Sequence, residues 1–398
     1  MKRKIINDPV YGFITIDNQL IYDLINHPWY QRLRRIHQMA LAQLVYPGAV
    51  HTRLHHSLGA YHLMRYALFE LKQKQIDITP QEEVGAKIAI LLHDIGHGPY
   101  SHALEGMIVQ DVHHESLSLA IMHQLNTEFG GALQIAIDIF TNVYPKKYLH
   151  QLVSGQLDVD RMDYLTRDSF YSGVSEGAVA YDRILKMITV HNGELMVEEK
   201  AIFSIEKFLI ARRLMYWQVY LHKTVVAAEQ MLQKAIQRAK QIGAVPQSNN
   251  LSKLFEHKHL GDSQQYPLHD FCLLDDYDIL SSLKGWMQHS DPILSNLCTR
   301  IINRQLYKIQ YNTEAAITQL LLTQQQTIAT QYCIADSDLH YYIFTGSVTN
   351  SLYKTADEKI NILFKSGVVK DISEVDNALV HNNLAIAEQK YYICYITN

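Results

Sequence analysis

The stretch EEVGAKIAILLHDIGHGPYSHALE, residues 82–105, decides the fold of this chain. Its first half is apolar on nearly every side, which predicts a helix buried deep in the protein. The helix must end abruptly, because two glycines and a proline follow closely. His93 and Asp94 stand at its C-terminal end, where the helix dipole opposes an ionised aspartate. A nearby cation would offset that opposition, so the stretch indicates a metal-binding turn in a helical core.

Histidines are concentrated in one part of the chain. Ten of the 21 fall between His51 and His123, and imidazole both binds metals and transfers protons near neutral pH. His56 lies at the head of the helix predicted before the buried one. The segment LDVDRMDYLTRDSFYSG adds a density of acidic residues that a helix tolerates poorly without a cation: Asp158, Asp160, Asp163 and Asp168. Two histidines and two carboxylates from three helices would form a hard, octahedral-type site, although spacing alone does not choose between Asp158 and Asp160.

Periodicity along the rest of the chain predicts a mostly α protein with a smaller α+β lobe at its C-terminal end. Helices are expected to start near Pro28 and to cover 145–168 and Ser204–Lys240. The chain divides into a helical core over 1–240, a polar, turn-rich boundary over 241–270 and an α+β lobe over 271–398. Strands of the lobe are predicted at LYKIQY, QYCIAD, LHYYIFTG, INILFK and KYYICYI.

Composition excludes several classes of protein. A chain of 398 residues with 47% hydrophobic and 19% charged residues is not intrinsically disordered, and it has no apolar run long enough to span a membrane. The first residues lack the pattern of an export signal. Four cysteines lie far apart without a CxxC pair, which favours a reducing, cytoplasmic location. A net charge of -4 makes nucleic acid an unfavourable partner.

The order His, His-Asp, Asp resembles that of the HD-domain phosphohydrolases. More narrowly, the chain is similar to the deoxynucleoside triphosphate triphosphohydrolases related to the animal SAM-and-HD-domain enzyme, without a SAM module. Matching blocks occur in the family's order over about residues 5–310, among them DPVYGFI, HPWYQRLRRIHQ, YPGAVHTRLHHSLG, LLHDIGHGPYSHALE, HHES and RRLMYWQVYLHK. The resemblance implies an HD-domain helical core and the metal ligands His56, His93, Asp94 and Asp160, which favours Asp160 over Asp158.

One divalent ion per active site is therefore expected, and the ligands do not distinguish Mg, Mn, Fe, Co, Ni and Zn. A second Mg²⁺ that arrives with the nucleotide is left open. The resemblance implies proton transfer by His102, backed by Glu105 three residues further on. It places His114 near the phosphates, and His97 is a further candidate for proton transfer.

Phosphate hydrolysis also needs fixed cations near the substrate. Arg53 precedes His56 by three residues, and the resemblance implies that it contacts phosphate. Arg161, Tyr164 and Asp168 share one helical face, as do Arg212, Tyr216, Tyr220 and Lys223. On the first face, Arg161 could bind phosphate and Asp168 could bind a sugar hydroxyl. On the second face the resemblance assigns phosphate contacts to Arg212 and Lys223, and to Tyr220 a ring that leaves no room for a ribose 2′-hydroxyl. In the separate segment RRIHQMA it places Gln38 beside the deoxyribose.

A regulatory nucleotide site is a further expectation from the resemblance. Relatives that are activated by guanine nucleotides carry an aspartate where this chain has Asn26, and a neutral amide reads guanine less well. Gln31, Arg32 and Arg34 are retained in the same segment. A regulatory nucleotide with an altered or absent guanine preference is therefore expected.

The function favoured is metal-dependent hydrolysis of deoxynucleoside triphosphates to deoxynucleoside and inorganic triphosphate. Two alternatives stay open: phosphomonoesterase or phosphodiesterase action on another nucleotide, and a nucleotide-sensing oligomer whose catalytic site has decayed. The sequence has no GYP motif after the HD block, which disfavours the diesterase alternative. By analogy with its relatives, the protein is expected to form a homo-oligomer, a dimer or tetramer, with no membrane partner.

Overall fold

The structure, a computed structural model, describes residues 3–109, 112–256, 267–350, 353, 359–375 and 388–397. Its strands are β1 Lys4–Asp8, β2 Gly12–Ile16, β3 Ile188–His191, β4 Glu194–Glu198, β5 Lys308–Asn312, β6 Ile343–Asn350, β7 Asn361–Leu363, β8 Val369–Asp371 and β9 Glu388–Tyr395. Its helices are α1 Gln19–Asn26, α2 Pro28–Gln31, α3 Arg53–Gln73, α4 Pro80–Leu92, α5 His114–Glu128, α6 Gln134–Phe140, α7 Lys147–Val153, α8 Val159–Ser172, α9 Tyr181–Met187, α10 Ile202–Met215, α11 Lys223–Ile242, α12 Asn249–Glu256, α13 Leu268–Phe271, α14 Asp276–Trp286, α15 Pro292–Ile302 and α16 Glu314–Tyr332. The prediction of a mostly α fold is confirmed.

Helix α4 lies at the centre of the structure, as its sequence predicts. Thr79 and Glu82 form a reciprocal capping box at its start, and Pro80 takes the first position, where a missing N–H costs nothing. Every residue from Gly85 to Leu92 is buried. Helix α4 packs against α3 and α6, and the chain turns sharply after it. The rigid end of a buried helix therefore holds the metal-binding turn.

Helix α3 packs against both α4 and α8 and brings their ends together. Gly59 permits the close approach of α8, because a Cβ at this position would overlap the side chains of Asp163 and Arg167. Any larger residue would push these two charged groups away from α3. The three helices that carry the predicted metal ligands are thus in direct contact.

Two predicted long helices are each divided in the structure. Helix α7 ends at Val153, and α8 begins at Val159 because Asp158 caps its N-terminus. Helix α10 gives way to a π-helical turn over Tyr216–Tyr220 before α11 starts. Such turns often occur at functional sites, since they redirect side chains that a regular helix would space evenly.

The first predicted helix is also placed differently. Pro28 does not open a long helix but starts the short α2, after α1 has already ended at Asn26. Helix α1 begins earlier because the Asn18 side chain accepts a hydrogen bond from the Ile21 backbone N–H. Strands β1 and β2 form an antiparallel hairpin before it.

The C-terminal part contains two sheets. Strands β5, β9 and β6 are antiparallel, and β7 pairs in parallel with β4 of the β3–β4 hairpin. Four of the five predicted strand segments contain strands, but QYCIAD does not. Its first two residues end α16, and Cys333 adopts a left-handed conformation with φ of 53° that closes the helix.

The predicted domain boundaries at 240 and 270 stay predictions. Helix α12 occupies part of the polar segment between them, and residues 257–266 lie outside the described residues. Among the described helices, none is both long and apolar enough to cross a membrane.

Candidate metal and nucleotide site

The four predicted metal ligands lie close together. His56 is in the first turn of α3, His93 and Asp94 follow the last residue of α4, and Asp160 is in the first turn of α8. Asp160 Oδ1 lies 3.0 Å from His56 Nε2 and 3.4 Å from His93 Nε2. Asp94 completes the cluster, with Oδ1 3.3 Å from His93 Nε2 and Oδ2 3.6 Å from His56 Nε2.

A hydrogen bond at Nδ1 orients each of the two imidazole rings. His56 donates from Nδ1 to Asp163 Oδ2 at 2.8 Å, and His93 donates from Nδ1 to the Ile90 carbonyl at 2.7 Å. Nε2 is therefore the nitrogen that each ring presents to the cluster. These two nitrogens are buried and have no hydrogen-bond partner among the described residues. Unpartnered imidazole nitrogens that face carboxylates are the arrangement that a divalent cation satisfies, so the residues fit a metal ion.

Electrostatics at the cluster also favour positive charge. Burial lowers the pKa of His56, but the negative charges of Asp160 and Asp163, with the hydrogen bond to Asp163, outweigh burial and raise the pKa to about 10. Burial likewise raises the pKa of Asp160, yet the two imidazoles hold it far below its usual range. The surroundings of His56 thus stabilise a cation, whether a proton or a metal ion.

Asp158 is excluded from the cluster by its own hydrogen bonds. Its carboxylate accepts from the backbone N–H groups of Arg161 at 2.7 Å and Gly155 at 2.9 Å, and it also pairs with the Arg161 guanidinium. It is completely buried as the N-cap of α8. The carboxylate that lies beside the two histidines is therefore that of Asp160, and Asp160 as a metal ligand stays a prediction.

Three further histidines lie beside the cluster. His97, His102 and His114 place nitrogen atoms within 4.8 Å of one another, and the rings of His97 and His114 stack at 3.9 Å. His97 Nε2 is 3.4 Å from Asp94 Oδ1, so His97 lies between the metal ligands and the other two rings. Burial, together with nearby Arg53, lowers the pKa of His97 well below its ordinary value, which keeps the ring neutral.

Glu105 orients two of these rings. His102 donates from Nδ1 to one carboxylate oxygen at 3.0 Å, and His114 donates from Nδ1 to the other at 2.6 Å. The hydrogen bond from His102, with those from the His114 backbone and ring, keeps the pKa of Glu105 well below its usual range despite partial burial. The predicted pairing of His102 with Glu105 is present, although His102 lies in a 3-10 turn, Ser101–Leu104, rather than in an α-helix.

A cavity of about 470 Å³ opens from this cluster, within the size range of small-molecule sites. Most of the substrate residues that the sequence predicts line it: Gln38, Arg53, Arg161, Tyr164, Asp168, Arg212 and Tyr220, together with Asp94, His97, His102, His114 and Asp160. Arg53 is 2% exposed and donates to Ser101 Oγ at 2.8 Å and to Asp94. Cations and the candidate metal ligands thus share one wall.

Asp168 sits in a hydrogen-bond network at the cavity. Its two oxygens lie 2.6 Å from His51 Nε2 and 2.7 Å from the Tyr220 hydroxyl, which donates to it. His51 stacks on Tyr171 at 4.4 Å and fixes the carboxylate from the protein side. Reasoning from sequence did not assign a role to His51, although its position within the histidine-rich window was a signal.

Lys223 is not brought into this cavity. It lines a different cavity of about 330 Å³ together with Arg304 and Lys308. The prediction placed it on the face of Tyr220 by assuming one continuous helix. The π-helical turn at Tyr216–Tyr220 breaks that spacing, so Lys223 starts a new helix and points elsewhere.

The residues predicted for a regulatory nucleotide do not form one exposed group. Arg32 is fully buried, donates to the carbonyls of Leu274 at 3.2 Å and Ile95 at 2.7 Å, and therefore has a structural role that the prediction missed. Asn26 is exposed and caps its own helix by donating to the Tyr22 carbonyl. Gln31 and Arg34 bond to each other at 2.6 Å near the surface.

Two families match parts of the chain. The HD domain matches residues 53–168, and the HD associated region matches residues 179–258. A solved phosphohydrolase structure from Bacteroides thetaiotaomicron is 46% identical, with a TM-score of 0.93 and both chains covered in full. A hypothetical protein from Aquifex aeolicus is 26% identical, with a TM-score of 0.74 over 99% of this chain and 96% of that one.

Relatives are also found by sequence. An uncharacterized protein of Bacillus subtilis is 31% identical over 94% of this chain and 87% of its own length. The deoxynucleoside triphosphate triphosphohydrolase SAMHD1 homolog of Dictyostelium discoideum is 30% identical over 77% of this chain and 59% of its own length. SAMHD1 of Gallus gallus is 29% identical over 59% of this chain and 45% of its own length. This chain therefore spans about half the length of these two triphosphohydrolases.

Proposed function

The chain belongs to the HD-domain phosphohydrolase family, and from that premise we propose that it hydrolyses deoxynucleoside triphosphates to deoxynucleoside and inorganic triphosphate. One observation carries the proposal. A single cavity joins the His/Asp cluster to three arginines, Arg53, Arg161 and Arg212, and to the paired Asp168 and Tyr220. That combination suits a ligand with several negative charges at one end and a sugar at the other.

The arginines are suited to a polyphosphate chain. Guanidinium groups keep their charge at any working pH and donate two parallel hydrogen bonds to phosphate oxygens. Arg212 is held by a hydrogen bond of 3.3 Å to Gln156 Oε1, and Arg161 by its pairing with Asp158. Their positions are thus fixed before substrate binds, which reduces the entropy lost on binding.

Release of triphosphate requires cleavage of the bond between the α-phosphorus and the 5′ oxygen. Water attacks the phosphorus, and the departing 5′ oxygen takes up a proton. His56, His93, Asp94 and Asp160 would hold a divalent ion, and the chemistry that such an ion would supply is activation of the water and neutralisation of charge on the phosphoryl oxygens. His102 and His114, both oriented by Glu105, are placed to hold and deliver the proton.

Asp168 and Tyr220 are placed to recognise the sugar. Asp168 accepts from Tyr220 and keeps lone pairs for a hydroxyl of the ligand. The hydrogen bond fixes the Tyr220 ring against the cavity, where it would crowd a 2′-hydroxyl. Gln38 lines the same cavity and is our candidate for a second sugar contact.

We infer in addition that the protein works as a cytoplasmic homo-oligomer, a dimer or tetramer, and that a nucleotide regulates it. Asn26, Gln31 and Arg34 are the candidates for regulatory contacts, whereas buried Arg32 is not. Light scattering with and without nucleotide measures the oligomer, and a GTP titration of activity tests regulation. A strict requirement for GTP would contradict the expectation drawn from Asn26.

Product analysis is the direct test of the reaction. The four dNTPs, GTP and ATP are incubated with Mn, Mg, Fe or Co, and the products are separated by chromatography. Deoxynucleoside and triphosphate in equal amounts support the proposal, whereas orthophosphate or pyrophosphate as the first product points to another phosphohydrolase activity. Metal content is measured in parallel, so that loss of metal and loss of activity are distinguished.

Variants of the metal ligands distinguish an active enzyme from a nucleotide-sensing protein whose catalytic site has decayed. His93→Ala with Asp94→Ala should abolish both bound metal and triphosphate release. His123→Ala is the matched control, because this histidine is exposed on α5 and lies away from the cavity lining. Unchanged cellular function of the double variant would favour the sensor, since the sensor does not need the metal ligands.

A further inference from the structure

Glu229 is a carboxylic acid in the cavity for which the proposed reaction has no use. It lies on α11, one turn after Val225, and both residues line the cavity together with Leu221, which precedes α11. One turn further, Gln233 donates to the Ala103 carbonyl at 2.9 Å and so ties α11 to the turn that carries His102. The position of Glu229 in the cavity wall is therefore fixed by the packing of α11.

The Glu229 carboxyl has no hydrogen-bond or ion-pair partner among the described residues of the chain. Burial raises its pKa to about 7, and no nearby cation opposes this effect. A desolvated carboxylate without donors is unfavourable in free energy, so the protein retains it at a cost. A ligand that supplies N–H donors to this carboxylate would remove that cost on binding.

The phosphates cannot be the groups that Glu229 binds, because like charges repel. A nucleotide whose phosphates contact Arg53, Arg161 and Arg212 directs its base away from the metal cluster. The rest of the cavity wall is mostly apolar: Met39, Ala40, Ala42, Leu221 and Val225. An apolar wall with a single acceptor suits the flat face and the donor edge of a nucleobase.

We propose that Glu229 determines base specificity by accepting hydrogen bonds from N1–H and the 2-amino group of guanine, which makes dGTP the preferred substrate. The inference rests on the proposed function and adds the identity of the base to it. Glu206 is a second carboxylic acid without a partner in the described part of the chain; it is fully buried, whereas Glu229 is half-buried, and it lies outside the cavity lining.

Guanine is favoured by the pattern of donors on its edge. Its N1–H and 2-amino group lie side by side and match the two oxygens of one carboxylate. Adenine and cytosine carry a ring nitrogen beside their amino group. This nitrogen is a hydrogen-bond acceptor, so its lone pair and the carboxylate oxygen would repel each other. Thymine offers a single N–H between two carbonyls. Guanine alone among the four bases places two donor groups, N1–H and the 2-amino group, next to each other on that edge.

The test compares dGTP with dITP, which lacks only the 2-amino group. We expect kcat/KM for dGTP to exceed that for dITP by about tenfold or more, the usual magnitude for one hydrogen bond to a charged group. Glu229→Gln replaces one acceptor oxygen with a donor at unchanged size. It should lower kcat/KM for dGTP by about tenfold or more, through a higher KM. The ratio of kcat/KM for dGTP to that for dITP should then approach one, and kcat for dATP should be unchanged.

Glu206→Gln is the matched control, because it also neutralises a glutamate that has no partner among the described residues, at a position outside the cavity lining. It should leave the ratio of dGTP to dITP unchanged. A wild-type ratio near one, or a Glu229→Gln variant that slows all four dNTPs equally, would overturn the assignment while triphosphate release still supports the reaction. If Glu229→Gln does not fold by circular dichroism, the wild-type ratio decides alone.

Discussion

Asp163 Oδ2 accepts a hydrogen bond of 2.8 Å from Nδ1 of His56, whose other ring nitrogen faces Asp160. Asp163 is itself held by Arg167, which donates from Nε at 3.0 Å and reaches Asp8 of β1 at 2.8 Å. The side chains of His56, Asp163, Arg167 and Asp8 are all buried. The N-terminal hairpin is thereby linked through two ion pairs to the orientation of a metal ligand.

Asp163→Asn should weaken metal binding. An asparagine side chain accepts less strongly than a carboxylate, so His56 would lose basicity and its fixed ring orientation, and Arg167 would keep only Asp8 as a charged partner. We expect a loss of metal affinity of about 10- to 100-fold, as for other residues behind a ligating histidine. Dialysis against buffered free metal, followed by elemental analysis, measures the change.

Asp17→Asn is the control for that variant. Asp17 pairs with Arg65 at 3.0 Å, but the pair is solvent-exposed and should contribute little to stability or metal binding. Equal metal affinity in Asp163→Asn and the wild type would show that the contact with His56 is only structural.

Arg32→Met should destabilise the protein without a specific effect on nucleotide response. The substitution removes the donors to two buried carbonyls and the contact of the guanidinium with the Phe271 ring at 5.1 Å. We expect the free energy of unfolding to fall by about 2–4 kcal/mol, measured by urea denaturation. Arg34→Ala, at an exposed position, should change it by about 0.5 kcal/mol or less.

A loss of the nucleotide response without a loss of stability would instead support a regulatory role for Arg32. If Arg32→Met unfolds at the same urea concentration as the wild type but no longer responds to nucleotide, the residue contacts the effector. Loss of response in Arg34→Ala alone would instead support the regulatory contacts that remain at the surface.

The sequence was most informative where neighbouring residues already determine the geometry. His93 and Asp94 were found because a buried helix ends at a turn, and this local pattern predicts where both side chains lie. The placement of Asp160 needed the family resemblance, since Asp158 and Asp160 differ by two positions on one helix. The structure separates them through the hydrogen bonds that Asp158 makes as an N-cap.

Residues whose roles depend on distant parts of the chain were missed or misplaced. Arg32 meets Leu274, which is 242 positions away, and no local pattern shows that its charge is buried. Lys223 was misplaced because a π-helical turn cannot be read from side-chain spacing. Glu229 stands in an ordinary amphipathic helix, and its exposure to the cavity appears only once α11 is packed.

Tyr220→Phe and Tyr220→Ala should affect sugar discrimination differently. Phenylalanine keeps the ring and loses the hydrogen bond of 2.7 Å to Asp168, so we expect a modest rise in KM for dNTPs. Alanine removes the ring, and the preference for a deoxynucleotide over the matching ribonucleotide should fall by about tenfold or more. Ratios of kcat/KM for each pair measure the effect. An unchanged ratio in Tyr220→Ala would assign the discrimination to other residues.

Stability at acid pH should depend on Glu82, which joins α4 to the segment before α7. Burial raises the pKa of this carboxyl, but hydrogen bonds from Lys146, the Thr79 backbone and Tyr144 outweigh burial and lower the pKa overall. Because the folded-state pKa is below that of the unfolded chain, its contribution is complete above about pH 4.5 and is lost as the pH falls through the folded-state value. Unfolding free energies between pH 7 and pH 3 measure the loss.

Glu82→Gln tests the assignment, because glutamine keeps the shape but cannot ionise. At pH 7 we expect the free energy of unfolding to drop by about 1–3 kcal/mol, since Lys146 at 2.8 Å loses its charged partner. The difference from the wild type should then shrink as the pH falls through the folded-state pKa of Glu82, because the wild-type carboxyl becomes protonated there. Glu115 is exposed on α5, so the free energy of unfolding of Glu115→Gln should follow that of the wild type over the whole pH range. A gap between Glu82→Gln and the wild type that stays constant down to pH 3 would mean that packing, and not ionisation, accounts for its contribution.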